Sequence, residues 1–330
     1  MTFALLFVGL FSHGAAQDSG PKSSGQQYLY AAVFLNSGSG AVGTTSNIGL
    51  FRRGVGDTAW QNTYHPNLFT FGLGFWRRGL TQRYYVAAGN GLHRSSDGRK
   101  TWRILTSWHT KEVLSLALDP IDSSLLYIAT PFGVFKSSDD GAHWVKKMNG
   151  MRRWFVRQVV IERDDRRMLY AAAKDDLYRT VDGGERWTGL HVGVEGILCV
   201  LAFNAKTLLV GSEDHGVRVS LDGGKSWRSG EGITQTAIYV LRGSPDGTVI
   251  YAAGYRSGLW KSVDAGLSWS LVWPAPDLEA IYAIFVNPNE PNNLLVGTNG
   301  AGIYESRDGG KNWSGTGLVG AHVRQIEIYP

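Results

Sequence analysis

Asp97, Asp139, Asp182, Asp222, Asp264 and Asp308 recur every 40 to 44 residues along a chain of 330. Carboxylates at matched positions suggest acid–base catalysis or cation binding, but the residues around them point elsewhere. Each lies in a segment Ser/Thr-x-Asp-x-Gly-x-x-Trp or close to it. These run from SSDGRKTW ending at Trp102 and SSDDGAHW at Trp144, through TVDGGERW at Trp187, SLDGGKSW at Trp227 and SVDAGLSW at Trp269, to SRDGGKNW at Trp313. An aspartate in such a turn accepts backbone N–H groups and holds the loop. Glycine at the fifth position permits positive φ, and Arg99 replaces it in the first of the six. The tryptophan buries a large ring beside the turn. All six aspartates and their tryptophans are therefore read as scaffold. RGVGDTAW, ending at Trp60, is a seventh, worn copy.

The elements that carry these turns follow one grammar. A short alternating apolar run comes first, such as VLSLALDP or IYAIFVNP, then a turn with Asp, Asn or Pro. A second strand such as LYIAT or LYAAA follows, then a Gly-bearing turn and a third strand such as GVFKS or GIYES. The Asp-bearing turn leads into a fourth strand that starts near the tryptophan. Four antiparallel strands in about 42 residues make one propeller blade. Period-two alternation and glycine-rich turns exclude a helical repeat. Seven first strands, including FTFGLGFW (69–76), predict an all-β, seven-bladed propeller.

The two ends of the chain complement each other. VRQIEIYP (323–330) is a first strand with no blade after it, and YLYAAV (28–33) is a second strand with no first strand before it. Joined, they complete the first blade and remove two sheet edges.

Strand parity divides the surface into two faces. The Asp-bearing turns share the bottom with the first-to-second turns, such as Asp119-Pro120 and Asn287-Pro288. The second-to-third and fourth-to-first connections share the top, where function is expected. Three tryptophans surplus to the repeat, Trp108, Trp154 and Trp273, fall at or near fourth-to-first connections. Two have basic neighbours, in Trp108-His109-Thr110-Lys111 and Arg152-Arg153-Trp154. Arg157 and Arg324 hold equivalent places in two Val-Arg-Gln segments near the central channel, and Tyr255-Arg256 lies on a second-to-third turn. Trp, Tyr and Arg dominate binding hot spots, so this set suits a peptide, including an acidic one. The same aromatics can stack sugars, or cap the core beneath their loops. The second-to-third connection of the first blade, LNSGSGAVGTTSN (35–47), is longer than its counterparts, as a flap or a tolerated insertion.

Other chemistry is not signalled. His109, His191, His215 and His322 lie on different connections without ligand spacing, so no metal site is expected. No Gly-rich phosphate loop opens a helix, no Gly-x-Ser-x-Gly elbow occurs, and no cofactor is expected. Cys199, the only cysteine, lies in an apolar strand, so no disulfide is expected. A net charge of +5 is spread along the chain with no basic block beyond pairs, which argues against nucleic acid as partner.

The boxes resemble the Asp-box (BNR) repeats of sialidases, xyloglucan-cleaving endoglucanases, sortilin ectodomains and photosystem II assembly-factor propellers. The resemblance covers nearly all of residues 28–330, and a compact seven-repeat chain looks most like the assembly-factor and sortilin-like class. It implies a fold more than an activity, because the box is scaffold. Sialidases carry their first arginine in a Phe/Tyr-Arg-Ile-Pro segment. The nearest sequence here, Leu50-Phe51-Arg52-Arg53-Gly54, lacks Ile-Pro and falls on a third strand. The xyloglucan enzymes resemble two such propellers with a catalytic Asp from each, and this chain has one. Glycoside hydrolysis needs two carboxylates roughly 5–9.5 Å apart. Glu112, Glu195, Glu213, Asp214, Asp277 and Glu279 lie on the top, and sequence does not pair them.

The N-terminus reads as an address. Phe3–Phe11 is an apolar run too short to span a bilayer. Gly14 and Ala16 offer the small residues that a signal peptidase accepts before Gln17, although no Lys or Arg precedes the run. A frayed apolar tail is the alternative. The expected organisation is a signal peptide over 1–16, a polar linker over 17–27 and the propeller over 28–330. The expected protein is exported (periplasmic, lumenal or extracellular), with membrane association left open and no integral span after cleavage. It is read as a non-catalytic module that binds a protein segment through its top face. The alternative is a glycoside hydrolase or carbohydrate-binding propeller using that face.

Overall fold

A computed structural model describes residues 27–35, 48–64, 69–107, 110–204, 206–244 and 247–329. The proposed signal peptide, most of the linker, the long connection of the first blade from residue 36, and Trp108 and His109 lie outside them.

The described residues form seven four-stranded antiparallel sheets and no helix. In the third blade, for example, Ser115–Leu118 is innermost, followed outward by Leu126–Thr130, Gly133–Ser137 and Val145–Lys146. The ring closes as the termini predict. Ala321–Tyr329 is the inner strand of the first blade and pairs along the whole of Tyr28–Leu35, which leads outward to Gly49–Gly54 and Gln61–Tyr64. The same strand packs against its inner neighbours on both sides, Thr70–Arg78 of the second blade and Ile281–Val286 of the seventh.

Packing between blades explains the sequence of the second strands. Each lies between two sheets, so LYIAT, LYAAA, LLVGS, IYAAG and LLVGT are buried at every position. Strands covered on both faces read as continuous apolar runs instead of alternating ones. Seven buried apolar clusters occupy the seven inter-blade gaps; an open array of seven blades would have six. Near the axis the gap narrows: a Cβ on Gly297 would lie 2.8 Å from the carbonyl oxygen of Val323.

The box turns are held by their own atoms. Asp222 Oδ1 accepts from the backbone N–H of Lys225 and of Ser226, each at 3.0 Å, and from the Ser220 hydroxyl at 2.7 Å. Its Oδ2 accepts from the Ser226 hydroxyl at 2.6 Å, and Gly224 N–H donates to Ser220 Oγ. Asp97, Asp139, Asp182, Asp264 and Asp308 repeat the bond to the backbone N–H four residues on. Fourth and fifth positions both take positive φ, so the turn is stricter than a single glycine suggests. Asp140 (64°) and Ala265 (61°) adopt it at the fourth position and Arg99 (77°) at the fifth. Arg99 is tied down by its guanidinium, which donates to the Tyr30 hydroxyl at 2.6 Å and lies over the Tyr84 ring.

Basic residues just before the box Ser/Thr staple neighbouring blades. Arg94 donates to the Asp140 carbonyl at 2.8 Å, Lys136 to Gly183 and Arg179 to Gly223, each at 3.1 Å. The box tryptophans add to this: the indole N–H groups of Trp144, Trp187 and Trp227 donate to carbonyls of the preceding blade. Among the described residues Trp187 is the largest fully buried side chain.

Two expectations concern stability. Hydrogen bonds from the backbone N–H and then the side chain four residues on lower Asp139 (from His143) and Asp308 (from Asn312) from 3.8 to about 2. A depressed folded-state pKa gives stability that is complete above the ordinary value and lost as pH falls through the folded one. Denaturant midpoints should therefore hold from neutrality to about pH 4 and fall steeply toward about pH 2, and Asp139→Asn with Asp308→Asn should flatten the fall. Trp187→Ala should cost about 3–5 kcal/mol by the same assay, as deletions of large buried rings do.

A third concerns closure. Truncation after His322 removes the inner strand of the first blade and exposes the edge of Tyr28–Leu35. Aggregation or loss of cooperative melting is expected in size-exclusion chromatography and calorimetry. A monomeric truncate with a native-like melt would show that closure does not depend on this strand.

Candidate site at the mouth of the central channel

The inner strands carry a shared irregularity. Pairing of inner to second strand skips one residue near the top at Phe71, Arg157, Leu198, Tyr239, Tyr282 and Arg324. These are β-bulges, which leave one residue out of the ladder and re-aim its side chain. Leu114 holds the corresponding place in the third blade. The residue before each is β-branched and buried: Thr70, Val113, Val156, Ile197, Ile238, Ile281 and Val323. A stiff anchor in the blade core is thus followed by a free residue, and all seven free residues line a channel cavity of about 750 Å³.

The ring is chemically lopsided. The Tyr239 and Tyr282 rings stack with centroids 5.1 Å apart and 8° between planes. The Arg324 guanidinium lies 3.7 Å from the Tyr282 centroid. Phe71, Leu114 and Leu198 are apolar. Arg157 stands over the Phe155 ring and 3.8 Å from Glu213, and the two side chains are 43% and 46% exposed. Burial pushes the Tyr239 hydroxyl pKa up; Tyr282 adds to this, while Arg157 and Arg324 pull against it. Both guanidinium fields therefore reach one hydroxyl. His322 is lowered by burial and then by Arg324, with Glu279 opposing.

Glutamines beside the two arginines fasten the inner strands together. Gln158 Oε1 accepts from Val200 N–H at 2.8 Å, and Gln325 Oε1 from Leu73 N–H at 2.9 Å. Lower in the cavity wall, Arg242 makes paired bonds of 3.0 and 2.8 Å to the Glu327 carboxylate, which is almost wholly buried.

Of the residues singled out from the sequence, Arg157 and Arg324 line the channel. Tyr255 is exposed, with the Arg256 guanidinium 5.2 Å from its ring centroid, but neither lines the cavity. Arg152, Arg153 and Lys111 are exposed. No carboxylate pairs with them among the described residues. Trp154 is 65% exposed, with the Lys146 ammonium 5.4 Å from its ring, and forms a second, outer patch between the third and fourth blades. Trp273 does not belong to the surface set. It ends the outer strand Ser270–Trp273 and stacks on Trp313 at 4.5 Å, because that strand runs two residues longer than most of its counterparts.

Several groups suggestive of chemistry are committed elsewhere. Buried Arg53 pairs with Glu305 at 3.2 Å between the first and seventh blades, and Arg52 lies over Tyr28. Cys199 is buried and its thiol is pushed up to about 12 by burial. Glu279 accepts from Asn299 at 2.6 Å. The carboxylates lining the cavity are Glu213, Asp214 and the ion-paired Glu327. Among the described residues no three His, Cys, Asp or Glu side chains converge as metal ligands, and no helix is long and apolar enough to cross a membrane.

Sequence reasoning missed Phe71, Leu114, Leu198, Tyr239 and Tyr282. The signal was present: each follows a β-branched residue at the start of a first strand, as Arg157 and Arg324 do.

No protein-family model matches the chain. It is 30% identical over 190 residues to an oligoxyloglucan-reducing end-specific xyloglucanase of Emericella nidulans, which is 56% of this chain and 20% of that enzyme. It spans between 20% and 38% of the length of the curated xyloglucanases it matches. Among solved structures, the GH74 enzyme of Niastella koreensis superposes with a TM-score of 0.60 at 19% identity, over 75% of this chain and 45% of the enzyme. YCF48 bound to D1 peptide superposes with a TM-score of 0.59 at 15% identity, over 79% of this chain and 92% of YCF48. At these identities the superpositions establish a shared architecture: a β-propeller found both within longer xyloglucan-cleaving enzymes and as nearly the whole of a peptide-bound protein.

Proposed function

We propose that the chain is a non-catalytic interaction propeller of the Asp-box type, exported by its N-terminal segment, that binds a protein segment through its top face. One observation carries the reading: the top face presents aromatic and arginine side chains that the scaffold does not consume. Phe69, Phe132, Trp154 and Tyr255 are exposed there, whereas the exposed large residues of the bottom turns, such as Leu80, Ile121 and Val263, are aliphatic. Rigid aromatics beside arginines supply contact area and charge-assisted hydrogen bonds at low conformational cost. The likeness to YCF48 in complex with a peptide, over most of both chains, supports a peptide ligand.

The carbohydrate alternative rests on the curated relatives, which cleave xyloglucan by their names. The two readings respond differently to salt. Binding steered by arginines weakens as ionic strength rises, because exposed charges are screened beyond about 8 Å at physiological salt. Sugar stacking does not.

Calorimetry with a glutamate-rich peptide and with a xyloglucan oligosaccharide, each across a salt series, separates them. Wild type is expected to bind the peptide with salt-dependent affinity. Arg152→Glu with Arg153→Glu should slow association and flatten that dependence with an unchanged melt, and Trp154→Ala should mainly speed dissociation. Salt-independent oligosaccharide binding, with no peptide binding, would overturn the reading in favour of the carbohydrate propeller.

A further inference from the structure

We propose that the bulge ring at the channel mouth is a carboxylate-binding subsite anchored on Arg324, with Glu213 as its built-in competitor at Arg157. This deepens the top-face reading by naming the group the channel takes.

Arg324 is the open cation of the ring. Among the described residues no carboxylate lies within ion-pair distance of it, and its guanidinium carbon lies over the Tyr282 ring, 3.7 Å from the centroid, with Tyr282 itself stacked on Tyr239. A guanidinium held by its face keeps its in-plane N–H donors free, the geometry that grips a carboxylate with two parallel hydrogen bonds. Tyr239 and Tyr282 line the same cavity. Stacking also fixes the rotamers in advance, so little conformational freedom is lost on binding.

Arg157, three blades away, shows what this ring attracts. Glu213 approaches it to 3.8 Å from the neighbouring blade, with the exposed Asp214 beside it. An ion pair so exposed and so long is weak and easily exchanged. Arg157 is thereby open to exchange: a carboxylate entering the mouth can displace Glu213 from its guanidinium. Phe71, Leu114 and Leu198 complete the rim, so the favoured ligand carries its carboxylate on a compact apolar body. The buried Arg242–Glu327 pair neutralises the cavity wall below and confines the anion site to the mouth.

Two sources present this chemistry: a free small carboxylate and an acidic side chain on a peptide. Benzoate and acetyl-Ala-Glu-Ala-amide serve as probes, with benzamide as the uncharged control, titrated by NMR on the folded chain. At least one acidic probe should bind saturably and benzamide should not; the tighter acid identifies the source. Arg324→Gln should weaken binding about tenfold or more. Arg324→Lys should fail to restore it, since an ammonium cannot stack and fork. Glu213→Gln should tighten binding about two- to fivefold by freeing Arg157. Melting curves establish that each variant is folded, and Arg157→Gln carries the loss test should the Arg324 variants not fold. Absence of saturable binding by either acid, equal binding of benzamide, or an affinity indifferent to Arg324 and Arg157 would overturn the subsite. Probe binding without any macromolecular ligand would leave the subsite standing and remove the interaction-module reading.

Discussion

The chain meets itself in the first blade, and the rest of the molecule depends on that junction. Ala321–Tyr329 enters last in sequence and innermost in space. Tyr329 joins a cluster of rings with Tyr30, Phe75 and Tyr84, which couples the first blade to the second. Glu327 holds Arg242 of the sixth blade across the channel, and Gln325 holds Leu73 of the second. Without this strand the core between the first and seventh blades loses Ala321, Val323 and Ile326, the core between the first and second loses Tyr329, and a sheet edge is exposed. The channel exists because the ring is closed, and every side chain assigned to its mouth depends on that closure.

The boxes and the channel mouth divide the labour between opposite ends of each blade. Five of the six box aspartates bond with both oxygens inside their own turn, and Asp182 with Oδ1. The double positive φ makes the turn demanding, and the sequence meets the demand unevenly. At two of the three positions without glycine a side-chain contact holds the residue: Arg83 and Arg94 hold Asp140, and Tyr30 and Tyr84 hold Arg99. Uniformity below permits variation above, since a rigid hairpin base lets the top connections and bulge residues differ from blade to blade without loss of fold.

Periodic features were legible in sequence because periodicity is what packing against identical neighbours imposes. The tryptophan spacing, the buried second strands and the complementary ends follow from one blade repeated. The basic residues that staple adjacent blades were also written in the repeat, as Arg94-Ser95, Lys136-Ser137 and Arg179-Thr180, but their target is a backbone carbonyl one blade away, which no side-chain pattern marks. The channel mouth was half legible. Arg157 and Arg324 stood out because an arginine breaks an apolar run. Tyr239 and Tyr282 did not, because an aromatic there fits the expected alternation of a half-buried strand. Trp273, beyond the repeat, was open to a surface or a core-capping reading, and an outer strand two residues longer makes room for it against Trp313, as core capping requires.

The bulge explains why recognition is concentrated where the repeat is otherwise strict. A residue inside the ladder must suit two neighbours and a core, so its identity is set by burial. A bulged residue is released from pairing and turned toward the axis, while the β-branched residue before it keeps the blade anchored. Seven such positions around a closed ring give seven independently variable side chains at fixed separations. In this chain two are arginines on the fourth and first blades, two are stacked tyrosines on the sixth and seventh, and three are apolar. Charge is thereby placed at two positions of an opening whose other bulge residues are aromatic or apolar. Selectivity of the mouth is then a matter of which side chains the seven bulges carry, and the scaffold constrains it only through the diameter of the ring.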